Sequence, residues 1–191
     1  MVRADSPYKT YQDLVKAAKE KPGTLNVAGS GLNSANHLAT ERWNGAEGLK
    51  TTYVPYKGTG DLVASLLGGH VDVAMSYVTL AITQKSRTRL LAVATEKRHP
   101  LFPDAPTFKE LGIDWVDGAY RGVSVPKSAP EDIRKKLSSI FSEINKDAEF
   151  RQKMAEGGFE LVDVTYDKMP AFMAERSKVY LEVAKRLGLA K

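Results

Sequence analysis

Two apolar runs, each emptying into a loop of small residues and then into a helix, limit how this chain can fold. The first is Leu25, Val27 and Ala28, followed by Gly29-Ser30-Gly31-Leu32-Asn33-Ser34. The second is Thr51-Thr52-Tyr53-Val54, followed by Pro55-Tyr56-Lys57-Gly58-Thr59-Gly60. Behind each loop apolar residues return at helical spacing, Leu38 and Trp43 in one case and Leu62, Val63, Leu66 and Leu67 in the other. Two strand-loop-helix units in succession predict an α/β fold with a parallel sheet. In such a sheet the loops after the strands gather at one edge, where helix first turns present unpaired N–H groups and a positive dipole end. An anion is the natural occupant of that edge.

Read in order, the chain opens with a helix over Tyr8 to Lys21, capped by Thr10 with Asp13 three residues on and stopped by Pro22-Gly23. After the Leu25 strand a helix runs from about Ser34 to Gly45, and after the Thr51 strand another runs from about Thr59 to Leu67. Val71 to Tyr77 reads as a third strand, Ala81 to Gln84 as a short helix and Leu90 to Ala94 as a fourth strand. Thr95 to Pro106 is a loop, and Pro106 to Gly112 has the proline-first, glycine-last form of a short helix. Gly122 to Pro126 and Phe159 to Val162 are short strand candidates among three helical stretches, Pro130 to Asn145, Ala148 to Ala155 and Tyr166 to Leu187. The last carries Met169, Phe172, Met173, Val179, Tyr180, Val183 and Leu187 on a broad packing face. Regular alternation ends near Gly118, which divides the chain into 1–118 and 119–191.

A length of 191 residues with 42% hydrophobic and 27% charged composition is that of a soluble protein able to bury a core. The net charge of +5 is dispersed, with no long basic run, so it biases the chain mildly toward anionic ligands and nucleic acid is not expected. The absence of cysteine removes disulfides, thiolate catalysis and cysteine metal sites together. No apolar stretch reaches the ~18 to 20 residues that span a bilayer, and Met1 to Pro7 has no signal-peptide core, so the sequence reads as carrying no export address.

Enzymatic readings fail on spacing, and no cofactor is expected. Gly29-Ser30-Gly31 begins like a dinucleotide fingerprint, but Ser34 stands where its third glycine belongs. Tyr53 and Lys57 have a Tyr-x-x-x-Lys spacing, yet Tyr53 lies in an extended run where the two side chains do not meet. His37, His70 and His99 are too dispersed for a metal set. Ser30 and Ser34 lack the base and orienting acid of a nucleophile; hydroxyls and main-chain N–H groups that hold a carboxylate are their better use. His37 sits three residues into the second helix and Lys57 can add a charge at the second loop.

Several segments occur together in the order seen in one family. They are Gly29-Ser30-Gly31 through His37-Leu38, Val54-Pro55-Tyr56-Lys57-Gly58, Leu66-Leu67-Gly68-Gly69-His70-Val71-Asp72, Arg89 to Ala94 and Phe102-Pro103-Asp104-Ala105-Pro106-Thr107. Arg121-Gly122-Val123-Ser124-Val125-Pro126 and Ala129-Pro130 follow. The chain thereby resembles the solute-binding receptors of tripartite tricarboxylate transporters, also called Bug proteins. The resemblance implies a periplasmic binding protein of type II, with two α/β lobes closing on a small carboxylate and handing it to membrane transporter subunits. It carries ligand contacts onto Ser30, Gly31, Asn33, Ser34, Ala35, His37, Tyr56, Lys57 and Gly58. Arg121 is a further candidate, which either reaches the cleft from the hinge or solvates the surface.

Family members run longer, with a signal peptide and a first-lobe segment bearing a Pro-Gly-Gly-x-x-Asp-like loop. Set against them, 1–118 is a complete second lobe and 119–191 the C-terminal, mostly helical portion of the first. Its helices are expected to show an apolar face, which a homodimer or domain swap would cover. The alternatives from other classes are the effector-binding domain of a regulator and a truncated remnant that no longer transports.

Overall fold

The alternation of apolar residues along the central strand decides how the layers stack. In the computed structural model, which describes residues 1–190, Val27 of β2 (Asn26–Ser30) turns into one apolar cluster and Ala28 into another. Val73 and Ala74 of β4 (Val73–Ala74) divide the same way. A period of two sends neighbours to opposite faces, so the sheet is covered on both. On one face, Leu14 and Ala18 of α1 (Tyr11–Glu20) and Trp43 of α2 (Ala35–Glu47) pack with Leu25 and Val27. On the other, Leu62 and Leu66 of α3 (Thr59–Leu67) and Leu80 and Ala81 of α4 (Val78–Thr83) pack with Ala28 and Ala74.

The strand order is β3-β2-β4, where β3 is Thr52–Tyr56, and both pairings are parallel. β1 (Val2–Arg3) pairs antiparallel with β5 (Thr88–Arg89). Met1 exchanges both main-chain hydrogen bonds with Ala74, so this second ribbon runs alongside β4. These elements form one compact unit, Met1–Ala119. Thr10 caps α1 in a full capping box with Asp13, and Ser34 caps α2 through the His37 N–H.

A second unit begins at Tyr120 and holds α5 (Glu131–Ile144), α6 (Ala148–Glu156) and α7 (Met169–Arg186). It is tied by Tyr120 edge-on to Phe172 at 5.1 Å and by the Ser142 hydroxyl donating to Asp163 at 3.0 Å. α5 and α6 contain no buried residue and α7 buries only Val183.

Several expected elements take other forms. Leu90 to Ala94 is not a continuous strand; only Thr88–Arg89 pairs, with one further bridge between Val93 and Thr107. Pro106 to Gly112 is a series of turns, and Gly122 to Pro126 and Phe159 to Val162 have no ladder partner among the described residues. A strand exists only with a neighbour to bond, and an apolar run alone does not supply one. The face on α7 expected to pack leaves Met169 and Met173 largely exposed.

Candidate functional site

The first two strand-end loops meet because β2 and β3 run in register to their last residues. Ser30 lies opposite Tyr56, and the next N–H, that of Gly31, donates to the Tyr56 carbonyl at 2.8 Å. Gly31 has φ +74 and Asn33 φ 56, a left-handed pair that folds the loop back before α2 begins. Gly29 is needed for a different reason: a Cβ there would run into the Tyr53 ring and come within 2.8 Å of the Asn36 Cβ.

Inside this loop the polar groups bond chiefly to each other. Ser34 and Tyr53 both donate to the Gly31 carbonyl, at 2.9 and 3.0 Å. Asn36, 3% exposed, donates its amide nitrogen to the Met75 carbonyl at 2.7 Å and accepts from Ser30 at 2.6 Å and Tyr77 at 3.2 Å. It therefore joins the loop after β2 to the loop after β4. Burial raises the Tyr53 phenol above its ordinary value, with the Ser34 hydroxyl pulling the other way, so it remains protonated and a donor at neutral pH.

His37 stacks on Tyr53 with ring centres 4.4 Å apart, and its Nδ1 accepts the Asn33 N–H at 3.2 Å. An uncharged His37 thus carries its proton on Nε2 and offers a donor there. Ala35 opens α2, and its N–H with that of Asn36 has no acceptor within the helix. No acidic residue lies in the first turn of α2, whereas Asp61 lies in that of α3, so the α2 end is the more favourable for an anion.

Of the remaining expected residues, Lys57 is exposed with no ion-pair partner among the described residues, and Gly58 caps α3 without a side-chain bond. Tyr56 gives its carbonyl to the Gly31 loop while its hydroxyl bonds to Ser65 of α3. Arg121 belongs to the second unit, where its guanidinium lies over the Phe159 ring at 5.4 Å. Asn36, which makes three side-chain bonds, and its partner Tyr77 were not anticipated; Met75 and Tyr77 lie about 40 residues from Asn36 in sequence. The family model of the tripartite tricarboxylate transporter family receptor matches residues 1–189.

The chain belongs to this receptor family. A curated relative, the UPF0065 protein in the gbd 5' region of Cupriavidus necator, is 34% identical over 100% of this chain and 59% of its own length. The R. palustris protein Rpa4515, solved with adipate, superposes with a TM-score of 0.85 at 26% identity, over 99% of this chain and 64% of that one. The periplasmic binding protein BugD gives a TM-score of 0.78 at 26% identity, over 99% and 65%. The fold is that of the family's periplasmic binding proteins, and the chain spans about three fifths of the length of these relatives.

Proposed function

We propose that this chain supplies the ligand-holding lobe of a solute-binding receptor for a small organic carboxylate, acting without catalysis and serving the membrane subunits of a tripartite tricarboxylate transporter from the periplasm. The observation that carries the reading is the junction of the β2 and β3 loops at the start of α2, in a chain of this receptor family. Adipate in Rpa4515 is a small dicarboxylate of the chemistry this edge suits. In this reading 1–118 is the complete second lobe and 119–191 is the C-terminal part of the first.

The magnitudes are consistent with a binding role. Charge-assisted hydrogen bonds contribute roughly 1.5 to 3 kcal/mol each, and a micromolar site needs about 8 kcal/mol net. The α2 first-turn N–H groups, His37 Nε2 and Lys57 supply enough donors for that, after ordering costs. Calorimetric titration with mono-, di- and tricarboxylates tests it. Micromolar binding of one class, weakened about tenfold by Lys57→Gln, is the expected result; no heat from any of them removes the proposal.

A separate observation supports self-association. Ile133, Ile140 and Ile144 lie at i, i+7 and i+11 along α5, one stripe of a helix, and are 45%, 45% and 40% exposed. A second copy of the chain covering that stripe is the proposed occupant.

A further inference from the structure

The hydroxyl groups of the β2 loop have a fixed sense, and it follows from one carbonyl. The Met75 main-chain oxygen can only accept, so the Asn36 group facing it at 2.7 Å is the NH2. Asn36 Oδ1 must then face Ser30 and Tyr77, and because an amide oxygen only accepts, both hydroxyls donate to it. The Gly31 carbonyl is likewise approached by two donors, the hydroxyls of Ser34 and Tyr53. Two acceptors, each with two lone pairs, thus hold four hydroxyl protons. Ser34 Oγ spends a lone pair on the His37 N–H as well.

Ser30 is left in a particular state. It is half-buried at the last position of β2, directly before the loop, with its single proton held by Asn36 at 2.6 Å. What it presents to an incoming molecule is oxygen lone pairs. A carboxylate, which only accepts, gains nothing from Ser30 and must be held by main-chain N–H groups, His37 Nε2 and Lys57. A hydroxyl or ammonium on the ligand's carbon chain is what Ser30 can bind.

We propose that Ser30 is a specificity residue acting as a hydrogen-bond acceptor, through the Met75–Asn36–Ser30 chain of bonds, and that it selects carboxylates bearing a donor group over their unsubstituted counterparts. The inference rests on the carboxylate reading above and narrows it to a substrate class. Its structural root is the pairing of an acceptor-only main-chain carbonyl with a buried, orientable amide.

Titration with succinate, malate and aspartate tests it, since the three share a carbon skeleton and differ in hydrogen, hydroxyl and ammonium at one carbon. The parent chain is expected to bind malate or aspartate about tenfold more tightly than succinate, the preferred one identifying the donor. In Ser30→Ala that ratio falls to near one, and in Ser30→Thr, which keeps the hydroxyl, it persists. A parent with no preference, or a ratio that survives in Ser30→Ala, overturns the assignment of Ser30 while leaving carboxylate binding in place. Failure of all three acids, and of the wider carboxylate series, brings down the carboxylate reading and this inference with it.

Discussion

Asn36 and Met75, 39 residues apart in sequence, are joined by the Asn36 amide nitrogen donating to the Met75 carbonyl at 2.7 Å. The same side chain accepts from Ser30 and Tyr77, so removing it takes a bond from the Met75 carbonyl and from both hydroxyls at once. Unpaired buried polar groups cost about 1 to 3 kcal/mol each, less where water reaches them. Asn36→Ala is therefore expected to lose about 2 to 3 kcal/mol in urea unfolding. A loss below about 0.5 kcal/mol, the size of an ordinary surface change, would show that the amide is not what joins the two loops.

Gly29 tests the packing beneath the same loop. Its φ is not left-handed, so the demand is one of space: an added Cβ meets the Tyr53 ring at 2.7 Å and the Asn36 Cβ at 2.8 Å. Both neighbours are held by hydrogen bonds to the loop and cannot retreat without breaking them. Gly29→Ala is expected to cost about 1 to 3 kcal/mol and to weaken ligand binding together with stability. An unchanged melting temperature would mean that the strand end is looser than the geometry indicates.

Thr10→Ala is the complementary case, because the α1 cap lies in a capping box with Asp13 and touches none of the loop residues. It should cost about 1 kcal/mol while leaving carboxylate affinity where it was. Hydrogen bonds from the main chain of Thr10, with its hydroxyl and the Lys9 N–H, hold the Asp13 carboxyl below its usual range. That support is present at neutral pH and is lost as acid protonates Asp13. A change in ligand affinity in Thr10→Ala would contradict the separation between cap and site.

What the sequence made legible follows the range of the interactions involved. The Thr10 cap and the helix Thr59–Leu67 are written in residues three or four apart, and the structure has them in place. The parallel β2–β3 pairing was legible too, since each strand announces itself with a small-residue loop and a helix. Gly122 to Pro126 carries strand-like residues, yet its pairing depends on a distant partner and none is bonded to it among the described residues. Asn36 shows the same limit at the site. In sequence it is a polar residue near a helix start, and only Met75 and Tyr77, brought beside it by the β2–β4 pairing, make it the link between loops.

The exposed stripe on α5 makes the final prediction. Ile133, Ile140 and Ile144 share one side of the helix, and Leu137, half-buried, falls between them on the same side. An apolar row of this length held in water favours association with whatever can cover it, and a second copy is always available at high concentration. Light scattering is expected to give a mass above 21.0 kDa that grows with concentration. The double variant Ile133→Glu/Ile140→Glu should return it to the monomer value without lowering the melting temperature, because neither side chain is buried. Unchanged self-association in that variant would move the interface elsewhere. A parent chain that stays monomeric at every concentration would show that the stripe is tolerated in solvent, and the proposal of a second copy would fall.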